Sequence, residues 1–133
     1  MTKEDKIRYW INLCEEDLST GELLVKNKRN IYAGFMCQQV VEKIIKGYFT
    51  KTKDNTPPHI HDVITLAERS ELKELLSEEQ LALLKEVNPF NIEARYPDYK
   101  NKVAEYLTDD VTERVFKQTK EFFEWTKEKI LSQ

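Results

Sequence analysis

An all-α domain, folded as an antiparallel up-and-down bundle of about five helices, is what this sequence predicts. Apolar residues recur at helical spacing along every segment, and no segment alternates apolar and polar residues with period two. The 133 residues also hold only three glycines and four prolines, too few for the turns of an all-β chain. A chain of this length makes one domain, here residues 1–133, and buries roughly two-thirds of its unfolded surface without disulfide or metal support.

The first helix starts after Thr2, a residue type that caps, and carries Ile7, Trp10, Ile11, Cys14, Leu18, Gly21 and Val25 on one stripe. Lys26 to Asn30 reverses the chain. The second helix, with Asn30 as its expected cap, presents Ala33, Cys37, Val40, Val41, Ile44 and Tyr48, and ends in the polar run Lys51 to Asn55. Pro57 and Pro58 forbid continuation. A short third helix begins at His61 or Asp62, with Val63, Ile64 and Ala67 inward. Ser77-Glu78-Glu79-Gln80 is a capping box and opens a fourth, with Leu81, Leu84 and Val87 on its core face. Asn88-Pro89 ends it, and Asn91 to Tyr99 reads as irregular. The last helix runs from about Asp110 to Leu131, with Val111, Val115, Thr119, Phe122, Thr126 and Ile130 on its stripe. Phe122, Phe123 and Trp125 spread around it at ~100° per residue, so part of that aromatic surface is expected to be covered by a partner chain.

Composition narrows the function classes. With 21 basic and 24 acidic residues the net charge is −3, which argues against wholesale coating of nucleic acid. The basic residues are uneven: between Lys26 and Lys53 the only acid is Glu42, against seven Lys or Arg, and this is the one anion-attracting stretch. No apolar run approaches the ~20 residues that span a bilayer, and the first residues lack an apolar signal core, so no membrane association and a cytoplasmic location are expected. Cys14 and Cys37 lack metal or redox spacing and read as reduced small hydrophobes.

Three segments carry residues capable of chemistry. On the second helix Gln39, Glu42 and Lys46 form a polar stripe beside the apolar face; an amide, a carboxylate and an ammonium suit a nucleotide's ribose and phosphate, or make an ordinary i, i+4 ion pair on a solvated face. Pro58-His59-Ile60-His61-Asp62 opens the third helix. Two histidines and one aspartate are an incomplete metal set, so neither metal nor cofactor is expected, and His61 is the better candidate for a group titrating near neutrality. Ala94-Arg95-Tyr96-Pro97-Asp98-Tyr99 follows the fourth helix. There the Arg95 guanidinium fork and Tyr96 ring fit a phosphate and a base, or clamp helix ends. The candidate ligand-binding set is therefore Gln39, Glu42, Lys46, His61, Arg95 and Tyr96, with no catalytic residue.

The Gln-Gln-x-x-Glu-Lys-x-x-Lys run of residues 38–46 and the Arg-Tyr-Pro-Asp run of residues 95–98, in this order on a helical chain, resemble the HEPN family over essentially the whole sequence. The resemblance implies a small helical domain that dimerises, often beside a separately encoded minimal nucleotidyltransferase in toxin–antitoxin pairs, and that is similar to the helical domain of kanamycin nucleotidyltransferase. Many members are metal-independent ribonucleases with an Arg followed four to six residues later by His. The sequence departs from that motif: no Arg precedes His59 or His61 by such a spacing, and Lys100 stands five residues after Arg95. A lysine does not serve as a general base near neutrality unless its pKa is strongly lowered. The expected function is a non-catalytic, nucleotide- or RNA-associated homodimer that partners a minimal nucleotidyltransferase. The alternatives are a residual enzyme, either an unusual nuclease or the helical half of a split nucleotidyltransferase with Glu42 as base, and a purely structural interaction domain.

Overall fold

In the computed structural model, which describes residues 1–92 and 97–132, six α-helices and two short 3-10 turns make up the regular structure of the described residues. Helix α1 spans Lys3–Lys26, α2 Asn30–Thr52, α3 Val63–Arg69, α4 Glu78–Val87, α5 Pro97–Tyr106 and α6 Asp109–Leu131. The 3-10 turns are Lys73–Leu75 and Asn88–Phe90.

Local sequence fixes most of the helix ends. Thr2 and Asp5 form a reciprocal capping box at α1, and Ser77 with Gln80 does the same at α4. Asp62 caps α3 and Thr108 caps α6. Asn30 does not cap α2. Its amide donates instead to the Leu107 carbonyl at 3.1 Å and to Asp109 at 2.7 Å, and Arg29 occupies the cap position without a side-chain bond. Asn30 thus ties the start of α2 to the start of α6, a tertiary use of a residue whose type alone suggested a local one.

The described residues hold one more α-helix than the sequence pattern indicated. The segment expected to be irregular up to Tyr99 becomes helical at Pro97, a residue type whose fixed φ suits the first turn. Its core face is narrow, since only Val103 is fully buried within α5, which is why the periodicity did not show.

Three long helices make the core, and their close approaches give the directions. Gly47 of α2 lies against Trp10 of α1 and Ile130 of α6, while Gly21 of α1 lies against Met36 of α2 and Phe116 of α6. Going from Trp10 to Gly21 along α1 therefore runs down both α2 and α6. Helices α1 and α2 form an antiparallel hairpin, but α6 runs parallel to α2, so strict up-and-down alternation does not hold. The shorter α3, α4 and α5 carry the chain back between them, and α2 touches every other α-helix. Cys14, Val40, Val41, Ile44, Ile45, Leu66, Leu84 and Val115 are wholly buried around it. Ile64, Leu81 and Val111, expected on the core faces, are only partly buried at its margin.

The aromatic residues of α6 correct a second expectation. Phe122 and Phe123 are both buried within the chain, and Trp125 is partly covered, its ring 6.1 Å from Phe122. Helices α1, α2 and α4 surround α6 widely enough to cover adjacent phenylalanines, so these rings do not call for a partner chain.

Glu86 of α4 joins three helices. Its carboxylate accepts from both terminal nitrogens of Arg114 in α6, at 2.9 and 2.7 Å, and from the Tyr106 hydroxyl of α5. The Arg114 guanidinium, seconded by Tyr106 and opposed by partial burial, holds the Glu86 carboxyl below its ordinary value of 4.5. A carboxyl depressed in the fold adds stability above its unfolded pKa and loses it as pH falls through the folded value. Thermal midpoints of wild type and Glu86→Gln should therefore differ by about 1 kcal/mol equivalent at pH 7, a modest figure because Arg114 is half-exposed, and converge as pH falls through the lowered value of the Glu86 carboxyl.

Gly34 offers a sharper packing test. A Cβ there would lie 2.5 Å from Leu107 Cδ1 and 3.4 Å from the Phe90 ring, whereas at Gly47 the nearest atoms would be 3.3 Å away. Gly34→Ala should lower stability by about 1–2 kcal/mol in urea melts, overpacking exceeding the ~1 kcal/mol gained in helix propensity, while Gly47→Ala should stay near neutral.

Candidate functional site

On α2 the residues Gln38, Glu42 and Lys46 are spaced by four, which stacks them on one line of the helix. That line is buried, with residue exposures of 0, 4 and 7 %. Lys46 Nζ donates to Glu42 Oε2 at 3.0 Å, and Gln38 Nε2 donates to Glu42 Oε1 at 3.0 Å. The ion pair expected from the i, i+4 spacing is present, but the solvated face expected for it is not: α1 and the segment before α3 cover it.

Burying a carboxylate and an ammonium costs several kcal/mol per ion unless partners satisfy them. Further partners come from outside α2. His61 Nδ1 lies 3.1 and 3.2 Å from the two Glu42 oxygens, and the His61 carbonyl accepts from Gln38 Nε2 at 3.1 Å. The Trp10 ring stands 5.9 Å from Lys46 Nζ. Its face supplies the ammonium with a further attractive contact.

His61 is held at both ends. Its carbonyl is fixed by Gln38, and Asp62 next to it accepts from the Thr65 N–H at 2.9 Å as the cap of α3. Asn88 completes the lock, donating to Asp62 at 3.0 Å and accepting from the Val63 N–H at 3.0 Å. Burial works against the Asp62 carboxylate, but the bonds from Thr65 and Asn88 prevail and hold its pKa below the usual value. The His61 side chain is nevertheless 64 % exposed. Because a carboxylate only accepts, Nδ1 carries the hydrogen toward Glu42, and in the neutral ring Nε2 faces outward as an acceptor.

The six residues singled out from the sequence therefore part company. Glu42, Lys46 and His61 come together in one cluster. Gln39 is partly buried and donates to Gln38 Oε1 at 2.8 Å, one step removed from the carboxylate. Arg95 and Tyr96 lie outside the described residues. Gln38 was missed although the four-residue spacing to Glu42 and Lys46 marked it; choosing Gln39 followed a three-residue step and selected the neighbouring face. Lys43, the second half of the Glu-Lys pair, points the other way and bonds Asp17 of α1 at 2.6 Å, so the dipeptide serves two faces of α2.

Both cysteines are unpaired and buried. Burial pushes the Cys37 thiol up to about 12 and raises Cys14 as well, which leaves both unreactive. Among the described residues no group of three His, Cys, Asp or Glu side chains is placed to hold a metal ion, and no helix is long and apolar enough to cross a membrane.

The cluster makes a double-substitution test. Glu42→Gln alone should cost about 3–5 kcal/mol in denaturant unfolding, because it leaves the Lys46 ammonium buried without its counter-charge. Glu42→Leu combined with Lys46→Met should recover most of that loss. His61→Ala, at an exposed position, should cost less than about 1 kcal/mol.

Comparison with known proteins gives one family: the model described as HEPN domain matches residues 7–130. No curated protein and no solved structure matches the chain.

Proposed function

The chain belongs to the HEPN domain family, whose members are nucleotide- or RNA-associated modules, and on that premise we propose that it is a non-catalytic binding module acting through the His61 surface. The observation that carries this reading is the arrangement around Glu42. A buried Gln38–Glu42–Lys46 line holds one exposed imidazole in a fixed tautomer, with its outer nitrogen available to a ligand. Fixing an imidazole through a carboxylate is how proteins orient a histidine for recognition. The enclosed groups position, and His61 contacts.

In this reading Gln39, Glu42 and Lys46 act through His61 rather than by touching phosphate or ribose. Glu42 already receives three donors and its side chain is only 5 % exposed, which also weighs against its use as a general base in a split nucleotidyltransferase. Arg95 and Tyr96 enter the reading on their chemistry alone, as a guanidinium fork for phosphate and a ring for stacking. The reading further includes a homodimer, a minimal nucleotidyltransferase as partner in a toxin–antitoxin-like pair, and a cytoplasmic location. Two buried, unpaired thiols are consistent with the last.

Binding of a fluorescent single-stranded RNA oligonucleotide tests the proposal. Titration of the wild type should saturate, His61→Ala should weaken it about tenfold, and Arg95→Ala should cost ~2–3 kcal/mol, both with little change in melting temperature. An unchanged affinity in both variants, or no saturable binding to RNA or nucleotide, would leave only docking to another protein. Light scattering at micromolar concentration should give twice the 15.8 kDa chain mass; a monomeric mass removes the dimer from the reading.

A further inference from the structure

A second concave site has Trp10 in its wall. It is a cleft of about 340 Å³ between the first turns of α1, the last turn of α2 and the loop that follows it. Tyr9 and Trp10 line it, and so do Lys3, Lys6 and Lys53. Such a mixture of flat apolar surface and a few charged groups is the usual makeup of a small-ligand site, and the volume falls at the small end of the roughly 300–1,000 Å³ range of such sites.

The rings are arranged to receive another ring. Tyr9 is half-exposed and meets Trp10 edge-on, centroids 5.5 Å apart and planes 67° apart, so the pair offers both a face and an edge. Trp10 is held from behind, against Gly47 and beside Lys46, which gives the cleft a rigid wall.

The cations are arranged to receive an anion. Lys6 makes no ion pair among the described residues, and Lys3 is engaged only by Asp54, at 3.2 Å, whose side chain is 94 % exposed. Lys53 is paired with the exposed Glu71. Ion pairs this exposed are weak and exchange readily for a better anion. Asp54 is the one acidic residue among those that line the cleft, beside three lysines. No arginine lines it; three lysines can each act as a separate point charge toward the several oxygens of a phosphate.

We propose that this cleft binds a small monophosphate bearing a flat ring, with the ring on Tyr9 and Trp10 and the phosphate among Lys3, Lys6 and Lys53. The site is separate from the His61 surface and stands or falls independently of it.

Calorimetry with AMP, adenosine and inorganic phosphate as probes tests the proposal on the full chain and on Tyr9→Ala, Lys6→Ala, Asp54→Asn and His61→Ala. All four changes fall on exposed or half-exposed residues, and an unchanged melting curve checks the fold of each. AMP should bind at least about tenfold more tightly than adenosine or phosphate alone, since each lacks one half of the contact. Tyr9→Ala and Lys6→Ala should each weaken AMP about fivefold or more, and Asp54→Asn should tighten it by removing the competing carboxylate. His61→Ala should leave unchanged the part of AMP binding that Tyr9→Ala and Lys6→Ala weaken. The proposal is overturned if AMP does not saturate the protein at millimolar concentration, or if AMP affinity is lost in His61→Ala and kept in Tyr9→Ala and Lys6→Ala. In that second case the ligand belongs to the His61 surface, and the functional reading survives without the cleft.

Discussion

The buried ion pair between Glu42 and Lys46 is the constraint around which the rest of the molecule is arranged. Two charges on the central helix of a domain this small are tolerated only if their remaining hydrogen-bonding capacity is met, because an unmet buried charge would consume much of the roughly 5–15 kcal/mol by which such a domain is stable. Helix α2 supplies Gln38 from its own preceding turn. Lys46 comes from the turn after, the Gln39 amide goes to Gln38, and the remaining partner of Glu42 arrives from another element. That requirement brings the segment ahead of α3 against α2 at His61. The Asp62–Asn88 lock then ties α3 to the end of α4, so the position of two short helices follows from the needs of one carboxylate.

Three glycines let the helices come near enough for this to work. Gly47 sits between Trp10 and Ile130, Gly21 against Phe116, and Gly34 against Leu107 and Phe90, so each marks a place where a neighbour's side chain takes the space of a missing Cβ. Helical glycine costs about 1 kcal/mol relative to alanine, and here close packing offsets it. At Gly47 the close approach seats Trp10 against α2, where its ring stands 5.9 Å from Lys46 Nζ and the residue also lines the cleft.

What could be read in the sequence was whatever depends on near neighbours. The cap at Thr2, the capping box at Ser77, the apolar stripes of the long helices, the break at Pro57-Pro58 and the Glu42–Lys46 contact are all settled within a turn or two of chain, and all are present. Features decided by distant contacts were not legible. Asn30 has a capping residue's chemistry but spends it on Leu107 and Asp109, 77 and 79 positions away. The parallel course of α6 beside α2 is set by the three short helices between them, and α5 has too narrow a core face to leave a periodic trace. Burial of the ion pair was hidden for the same reason, since an i, i+4 Glu-Lys spacing reads alike on a solvated face and beneath a tryptophan. Of the site, the residue types were visible while the division into enclosed groups and one presented group was not.

That division bears on how a helical surface of this size can recognise anything. A histidine on a mobile loop loses conformational entropy when it binds, and that loss subtracts from affinity. His61 has already lost it: its backbone carbonyl and ring nitrogen are both bonded to α2 and the adjoining cap is bonded to α3, while almost two-thirds of the side chain stays in solvent. The stability of the buried line and the readiness of the exposed ring are thus one property seen from two sides. Weakening the Glu42–Lys46 pair would loosen the imidazole before it unfolded the bundle, because the ring is attached through the carboxylate and the core is attached through Val40, Val41, Ile44 and Ile45 on the neighbouring faces of the same helix.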